Sequence, residues 1–355
     1  MKKVIINGES LTGKEIFGVQ RYATELLYEL DRIVKPGEIE VVVPQNGERE
    51  LRFQNIEVTS LKKANPEHKW FWNLFQFSRY VRKHNGISMD LTLTLPLLNC
   101  DIVAIHDCIY ERCRQNANTF KKKLGRVFHI AITLLNTCRA KAVITVSNYS
   151  KEDISKIYRI PRRKIAVIGN AWQHFSRIES DDSVLEQFNL ADRPYFFALG
   201  SRLYHKNFRW IAEAARQNPQ YTFVVSGSNN LGTSDTALSR NTDNLIYAGY
   251  LSDGKVKSLM AHCKAFIQPS LYEGFGIPPM EAMCCGAKCI VSNRTSLPEI
   301  YGDSVWYIDP LKYQGIDMDQ IMSAEIADNG EVLKRFSWKK SAMRLYRLIQ
   351  RVRNQ

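Results

Sequence analysis

Glu273 and Glu281 stand eight residues apart in the stretch PSLYEGFGIPPMEAMCCG, residues 269–286. Pro279 suits the first turn of a helix and Gly286 its end, which puts Glu281 in that first turn. Gly274, Phe275 and Gly276 form a loop whose backbone can approach a ligand closely, because glycine sets no Cβ in the way. Bare N–H groups at the helix start favour an anion. The two carboxylates bracketing the loop can accept hydrogen bonds from neutral hydroxyls. Accepting hydrogen bonds from neutral hydroxyls is sugar-binding chemistry. Each carboxylate taken alone has a plainer role, Glu281 offsetting a helix dipole and Glu273 as a solvated loop group.

A second glycine loop points elsewhere. Residues 8–15 read GESLTGKE after a strand-like run and nearly match the phosphate loop G-x-x-x-x-G-K-[ST]. The last position should be a hydroxyl that ligates magnesium. Glu15 stands there instead and would oppose bound phosphate, and the next helical pattern starts only at Gln20. The segment therefore reads as a glycine loop at the mouth of a cleft. The eight cysteines (100, 108, 113, 138, 263, 284, 285, 289) include no C-x-x-C pair, so zinc spacing is absent and reduced, mostly buried thiols are expected. No carboxylate cluster suggests a magnesium site, and no metal is expected.

Elements able to position these residues alternate along the chain. Strand-like runs lie at 3–6, 39–43, 102–105, 142–146 and 165–168, then at 195–199, 221–225, 245–248, 265–267 and 288–291. Amphipathic stretches separate them, a pattern that predicts parallel sheets covered on both faces. The fold class is α/β, with two facing Rossmann-like, doubly wound domains. Residues 1–175 form the first domain, 176–194 a polar linker, 195–336 the second, and 337–355 a helix returning to the first. Ligands of such sheets bind outside the carboxyl ends of the strands, which places a shared site in the cleft. Val127–Leu135, the longest apolar run, contains His129 and Thr133 and reads as a core helix. After Met1-Lys2-Lys3 only three apolar residues follow, too few for an export signal, and no stretch approaches the ~20 apolar residues of a spanning helix.

The whole string 269–286 resembles the retaining family-4 glycosyltransferases (glycosyl transferases group 1) of the GT-B fold, whose signature is E-x7-E. Gly18-Val-Gln-Arg-Tyr22 is similar to the family's first loop and helix, and Ile105-His106-Asp107 to its His-Asp motif. Residues 144–151 and 164–170 look like the lead into its linker. Gly200 to Lys206-Asn207 resembles its phosphate-binding segment. The resemblance implies a nucleoside-diphosphate-sugar donor. Glu281 would bind the ribose, and Glu273 with Gly274, Phe275 and Gly276 the sugar hydroxyls. Lys206 would neutralise the leaving diphosphate, His106 would sit near the donor sugar, and Gly18 would let the first loop approach. Glu299 would cap or support the nucleotide pocket. Many relatives carry an arginine after the glycine matching Gly200 or before the lysine matching Lys206. Here Ser201 and His205 stand there, and Arg202 is the candidate second cation.

The chain has 355 residues, 45% apolar and 24% charged, which excludes a disordered chain or a coiled coil. Its net charge is +13, and residues 1–180 hold 29 Lys+Arg against 18 Asp+Glu, a net of +11. Residues 181–355 hold 20 against 18. The surplus therefore lies away from the donor side and suits an anionic membrane surface near a glycan or lipid-linked acceptor. Arg79, Arg82, Lys83, Lys121–Lys123 and Arg126 are the candidate contacts, with Trp70-Phe71-Trp72 as interfacial anchors. A cytoplasmic chain, peripheral on the inner face of the membrane, is expected. Two other readings stay open: a sugar-nucleotide epimerase or phosphorylase on a similar fold, and a basic nucleic-acid-binding protein, for which no motif is present.

Overall fold

The computed structural model describes residues 2–13, 18–45, 47–63, 71–92, 100–117, 119–200, 203–227 and 243–355. The chain divides into two compact units. The first comprises Met1–Cys108, Lys121–Asn170 and Trp338–Gln355, the second Ile109–Phe120 and Ala171–Ser337.

The first unit holds seven strands: β1 (Val4–Asn7), β2 (Ile39–Pro44), β3 (Glu57–Leu61), β4 (Ile87–Asp90), β5 (Ile102–Ala104), β6 (Ala142–Thr145) and β7 (Ile165–Val167). They lie in the order β3-β2-β1-β4-β5-β6-β7, every pairing parallel. Such runs as Val-Ile-Ile-Asn in β1 are buried along their length, as strands covered on both faces must be. The covering helices are α1 (Gly18–Asp31), α2 (Phe77–Lys83), α3 (Phe120–Arg139) and α4 (Asn148–Tyr158). Ser147 caps α4 by accepting the Ser150 N–H at 3.0 Å.

The last helix, Trp338–Arg353, packs on α1 of this unit. Trp338, Ala342, Leu345, Leu348, Ile349 and Val352 are buried along one face of it. Ser341 Oγ donates to the Gly169 carbonyl at 2.7 Å, and Arg353 Nη2 to the Glu38 carbonyl at 2.6 Å.

One helix reverses the expectation drawn for it. In α3 the buried side chains are Thr133, Asn136 and Thr137, while Leu124, Val127, Phe128, Leu134 and Leu135 are exposed. Val127–Leu135 is thus a surface segment and not part of the core. Its polar side turns inward to local carbonyls: Asn136 Nδ2 donates to Ile132 O and Thr137 Oγ1 to Leu134 O.

The second unit holds β8 (Tyr195–Leu199), β9 (Thr222–Ser226), β10 (Leu245–Gly249), β11 (Ala265–Gln268), β12 (Cys289–Ser292) and β13 (Trp306–Ile308). The order is β10-β9-β8-β11-β12-β13, again all parallel. Its helices include α5 (Ser183–Gln187), α6 (Phe208–Gln217), α7 (Asp253–His262), α8 (Ile277–Cys284) and α9 (Leu297–Tyr301). α6 turns Phe208, Trp210, Ile211, Ala214 and Ala215 onto the sheet core. The stretch 176–194 contains α5, which packs on α7, and Lys257 Nζ donates to the carbonyls of Phe175, Ser176 and Ile178. All eight cysteines are free thiols, with Cys138 exposed.

Each sheet winds outward in both directions from a central pair, β1 and β4 in the first unit, β8 and β11 in the second. The connections leave to opposite sides there and open a crevice at the carboxyl ends of the strands.

Candidate active site

At the crevice of the second unit, β8 ends into Gly200 and Lys206, and β11 ends into Glu273. Lys206 Nζ lies 2.8 Å from Glu273 Oε1. Gln268 Nε2, at the end of β11, donates to the same oxygen at 2.7 Å. The Glu273 backbone is fixed too: its N–H donates to Thr295 Oγ1 at 3.1 Å, and Ser296 Oγ donates to its carbonyl at 3.0 Å. Burial pushes the Glu273 carboxyl up, but the Lys206 ammonium leads the opposing contributions and holds it below the usual carboxylate value. Glu273 is therefore ionised and purely an acceptor.

The backbone around this pair leaves little freedom. A Cβ on Gly227, at the end of β9, would meet the Gly200 carbonyl oxygen at 1.5 Å, so the two loops touch through bare backbone. Asn207 follows Lys206 and anchors the turn into α6. Its Nδ2 donates to the carbonyls of Pro269 and Pro310 at 3.0 and 2.8 Å, and its Oδ1 accepts from Tyr313 at 3.0 Å.

His205 does not act as a second cation here. It is buried, and its Nδ1 accepts from Asn116 Nδ2 at 3.0 Å. Burial, with repulsion from Lys206, pushes its pKa down to about 4, so the ring is neutral at pH 7. Arg202, the residue expected to supply the second charge, lies outside the described residues, as do Ser201, Lys14, Glu15 and Trp70.

Gly276 takes φ +80° as the N-cap of α8, and a Cβ there would meet Leu297 Cδ2 at 2.6 Å. α8 starts at Ile277, earlier than Pro279 suggests, so Glu281 lies beyond the first turn and its dipole role is weakened. It has a specific partner instead: His174 Nε2 and Glu281 Oε1 are 2.8 Å apart, both buried. Phe275 is buried, edge-on to Phe336 at 5.3 Å between ring centres, and the loop beside it is locked by the Tyr301 hydroxyl on the Gly276 carbonyl. Glu299 stands half-buried on α9, its carbonyl taking Arg335 Nη2 at 2.8 Å.

His106 follows β5 of the first unit. Its Nε2 donates to the Leu91 carbonyl at 2.9 Å, and the Tyr22 ring stands edge-on at 4.7 Å. Burial holds its pKa below the usual histidine value, against a smaller opposing effect from the Leu91 carbonyl. Gly18 opens α1, with nothing within 4 Å of where a Cβ would stand.

A polar cluster at the β1–β4 crevice was not foreseen. Asn7 Nδ2 donates to Asn73 Oδ1 at 2.7 Å and Asp90 Oδ2 at 3.1 Å, and Asn7 Oδ1 accepts from Trp72 Nε1 at 3.0 Å. Trp72 is therefore buried and no interfacial anchor. Asn73, just ahead of α2, and Asp90, at the end of β4, stand 66 and 83 residues from Asn7, so no spacing signal could unite them with it. His174 with Glu281 and Asn116 with His205 escape sequence reading for the same reason.

Comparison with known proteins follows the same division. The model of "Glycosyltransferase Family 4" matches residues 16–172 and that of "Glycosyl transferases group 1" residues 182–317. O-antigen chain mannosyltransferase B of Escherichia coli is 29% identical over 311 residues, 81% of this chain and 78% of that protein. An E. coli UDP-Gal:alpha-D-GlcNAc-diphosphoundecaprenol alpha-1,3-galactosyltransferase is 26% identical over 223 residues, 59% of this chain and 55% of its own length. The crystal structure of Anabaena HepE in complex with UDP and glucose superposes with a TM-score of 0.70 at 14% identity, covering 99% of this chain and 100% of that one. Two matched glycosyltransferase domains in sequence order, on two parallel sheets of the GT-B class, place the chain in this family: it is a glycosyltransferase.

Proposed function

We propose that the chain moves a sugar from a nucleoside-diphosphate sugar to a glycan or lipid-linked oligosaccharide, with retention and without a metal, in polysaccharide or cell-surface glycan assembly. The observation that carries this reading is the Lys206–Glu273 pair at the β8–β11 crevice. A cation and an ionised acceptor side by side suit a leaving phosphate and the hydroxyls of the sugar attached to it. The names of the mannosyl- and galactosyltransferase relatives, and the UDP and glucose held by HepE, support the same substrate class.

In this reading the second unit takes the donor. Glu281, pre-oriented by His174, accepts from the ribose hydroxyls, and Glu273 with the 274–276 backbone holds the sugar. As the anomeric C–O bond breaks, its electron pair leaves on the diphosphate oxygen, where Lys206 stabilises the growing charge more than the ground state. The acceptor hydroxyl attacks from the same face, and its proton passes to the departing phosphate oxygen. Retention then needs no enzyme nucleophile. His106 serves as a neutral sugar-binding group of the first unit, which takes the acceptor. A lipid-linked acceptor would bring the chain to the inner face of a membrane.

A thermal-shift panel of nucleoside diphosphates and sugar nucleotides tests the donor site. A ligand at 100 times its Kd adds about 2.7 kcal/mol of stability. The shift is expected to disappear in Lys206→Ala and in Glu281→Ala. A shift unchanged in both overturns the assignment.

A further inference from the structure

We infer that α3 is an in-plane docking element for an anionic lipid bilayer, its outward apolar face entering the headgroup boundary. This rests on the reading of a lipid-linked acceptor for its purpose, though not for its physical grounds. At 3.6 residues per turn, Phe120, Leu124, Val127, Phe128, Leu134 and Leu135 share an arc of about 120°. Each is between 42% and 83% exposed. Ala131 and Cys138 fall on the same stripe and are exposed as well. The helix spans 20 residues, about 30 Å of apolar edge, and turns Thr133, Asn136 and Thr137 inward. No helix among the described residues is long and apolar enough to cross a membrane, so a stripe of this kind lies along the interface.

Charge selects the occupant. α3 contains no Asp or Glu and five Lys or Arg. Lys121 and Lys123 fall on either edge of the stripe at its amino end, and Arg139 at the edge of its carboxyl end. Beyond that end the surface stays cationic. Lys164 Nζ donates to the carbonyls of Thr137 and Cys138 at 2.8 and 2.9 Å, capping the helix. The same lysine lines a groove of about 390 Å³ with Lys141, Lys151, Arg163 and Arg351. A second copy docked on the stripe would set like charges against each other with no acidic group on either helix to answer them. A bilayer of anionic lipid answers both the apolar face and the cationic rim.

Sedimentation of the full chain with vesicles provides the test. Binding to vesicles of phosphatidylglycerol and phosphatidylcholine (1:1) is expected to exceed binding to pure phosphatidylcholine by at least about tenfold at low salt. The double variant L124D/F128D alters two exposed positions, so folding should be kept. It is expected to lose at least about tenfold of that binding while keeping the sugar-nucleotide thermal shift. The triple variant K121Q/K122Q/K123Q should weaken binding by roughly fivefold per charge removed and flatten its salt dependence. Full binding in L124D/F128D, or none by the unaltered chain at low salt, overturns the proposal. So does a dimer in light scattering that L124D/F128D dissolves while vesicles stay unbound. Vesicle binding without any nucleotide shift would instead sink the donor-site reading and leave the docking face standing.

Discussion

At the carboxyl ends of β8 and β11 the second unit sets an ammonium and a carboxylate 2.8 Å apart, with 20% and 12% of their side chains exposed. At the matching ends of β1 and β4 the first unit sets a carboxylate, Asp90, that is 1% exposed and answered by Asn7 and Thr92. The topological place is the same. The partners differ in how readily they exchange. Lys206 reaches Glu273 on a flexible four-carbon stem and can share its charge with an incoming phosphate. The donors on Asp90 are an amide locked by three further groups, a backbone N–H and a hydroxyl, so they hold the crevice open without being released. In the proposed reading, charge that can be exchanged serves the donor, and charge that is sealed serves the architecture.

The largest effect expected from this contrast is on turnover. Lys206→Ala should lower kcat with a sugar-nucleotide donor by roughly 10²–10³, the cost of removing one preorganised charge from a developing anion. It also removes the largest contribution that opposes burial at Glu273, so the carboxyl should move up and the acid limb of the pH–rate profile with it. Steady-state kinetics across pH 5–8 measures both. A variant with undiminished kcat would break the comparison at its stronger side.

Next in size is an acid sensitivity centred on the second unit. His205 has its folded pKa depressed to about 4 against an ordinary value near 6.5. Between those values the unfolded chain takes up a proton that the folded site refuses. Stability is therefore complete above about pH 6.5 and falls as pH drops toward 4, by up to about 3 kcal/mol. Glu273, also depressed, acts in the same direction, its contribution being lost as pH falls through its folded value. Urea midpoints at pH 7 and pH 5 should differ less in His205→Gln than in the unaltered chain. His106, depressed by burial in the first unit, should give the same sign, with a smaller flattening in His106→Gln. Equal flattening by the two variants would remove the asymmetry.

What could be read from the sequence was what depends on near neighbours. The Glu273–Glu281 spacing, the glycine loop between them and the buried strand runs all lie within one or two elements, and they put both glutamates beside the second sheet. Contacts across the chain were not legible. Nothing in the local pattern around Trp72 shows that Asn7, 65 residues away, takes its indole N–H; three adjacent aromatics look interfacial until that bond is known. α3 and α6 show the subtler failure. Both are amphipathic, yet α6 turns its apolar face to the core and α3 turns its own outward. Helical period fixes that a stripe exists. Which way it faces depends on what stands opposite: Thr133 within the run Val127–Leu135, with Asn136 and Thr137 just beyond it, claims the inner side.

The smallest effect should come from the sealed side of the comparison, and it should be of a different kind. Asn7→Ala removes four hydrogen bonds at once: those to Asn73 Oδ1 and Asp90 Oδ2, and those received from Trp72 Nε1 and the Glu9 N–H. The groups left behind are buried and cannot reach bulk water without local opening. Leaving a buried polar partner unsatisfied costs about 1–3 kcal/mol, which for a unit of this size lowers Tm by several degrees, at roughly 2–4 °C per kcal/mol. Asn7→Asp should cost more than Asn7→Ala, because it sets a second carboxylate about 3 Å from Asp90 and loses both amide protons. In both variants kcat for the folded fraction should stay within about threefold, since Asp90 is held for shape and not for exchange with a ligand. Calorimetry paired with steady-state kinetics separates the two kinds of loss. A hundredfold fall in kcat with an unchanged Tm would make the β1–β4 cluster a binding site in its own right, and the division between exchangeable and sealed charge would no longer hold.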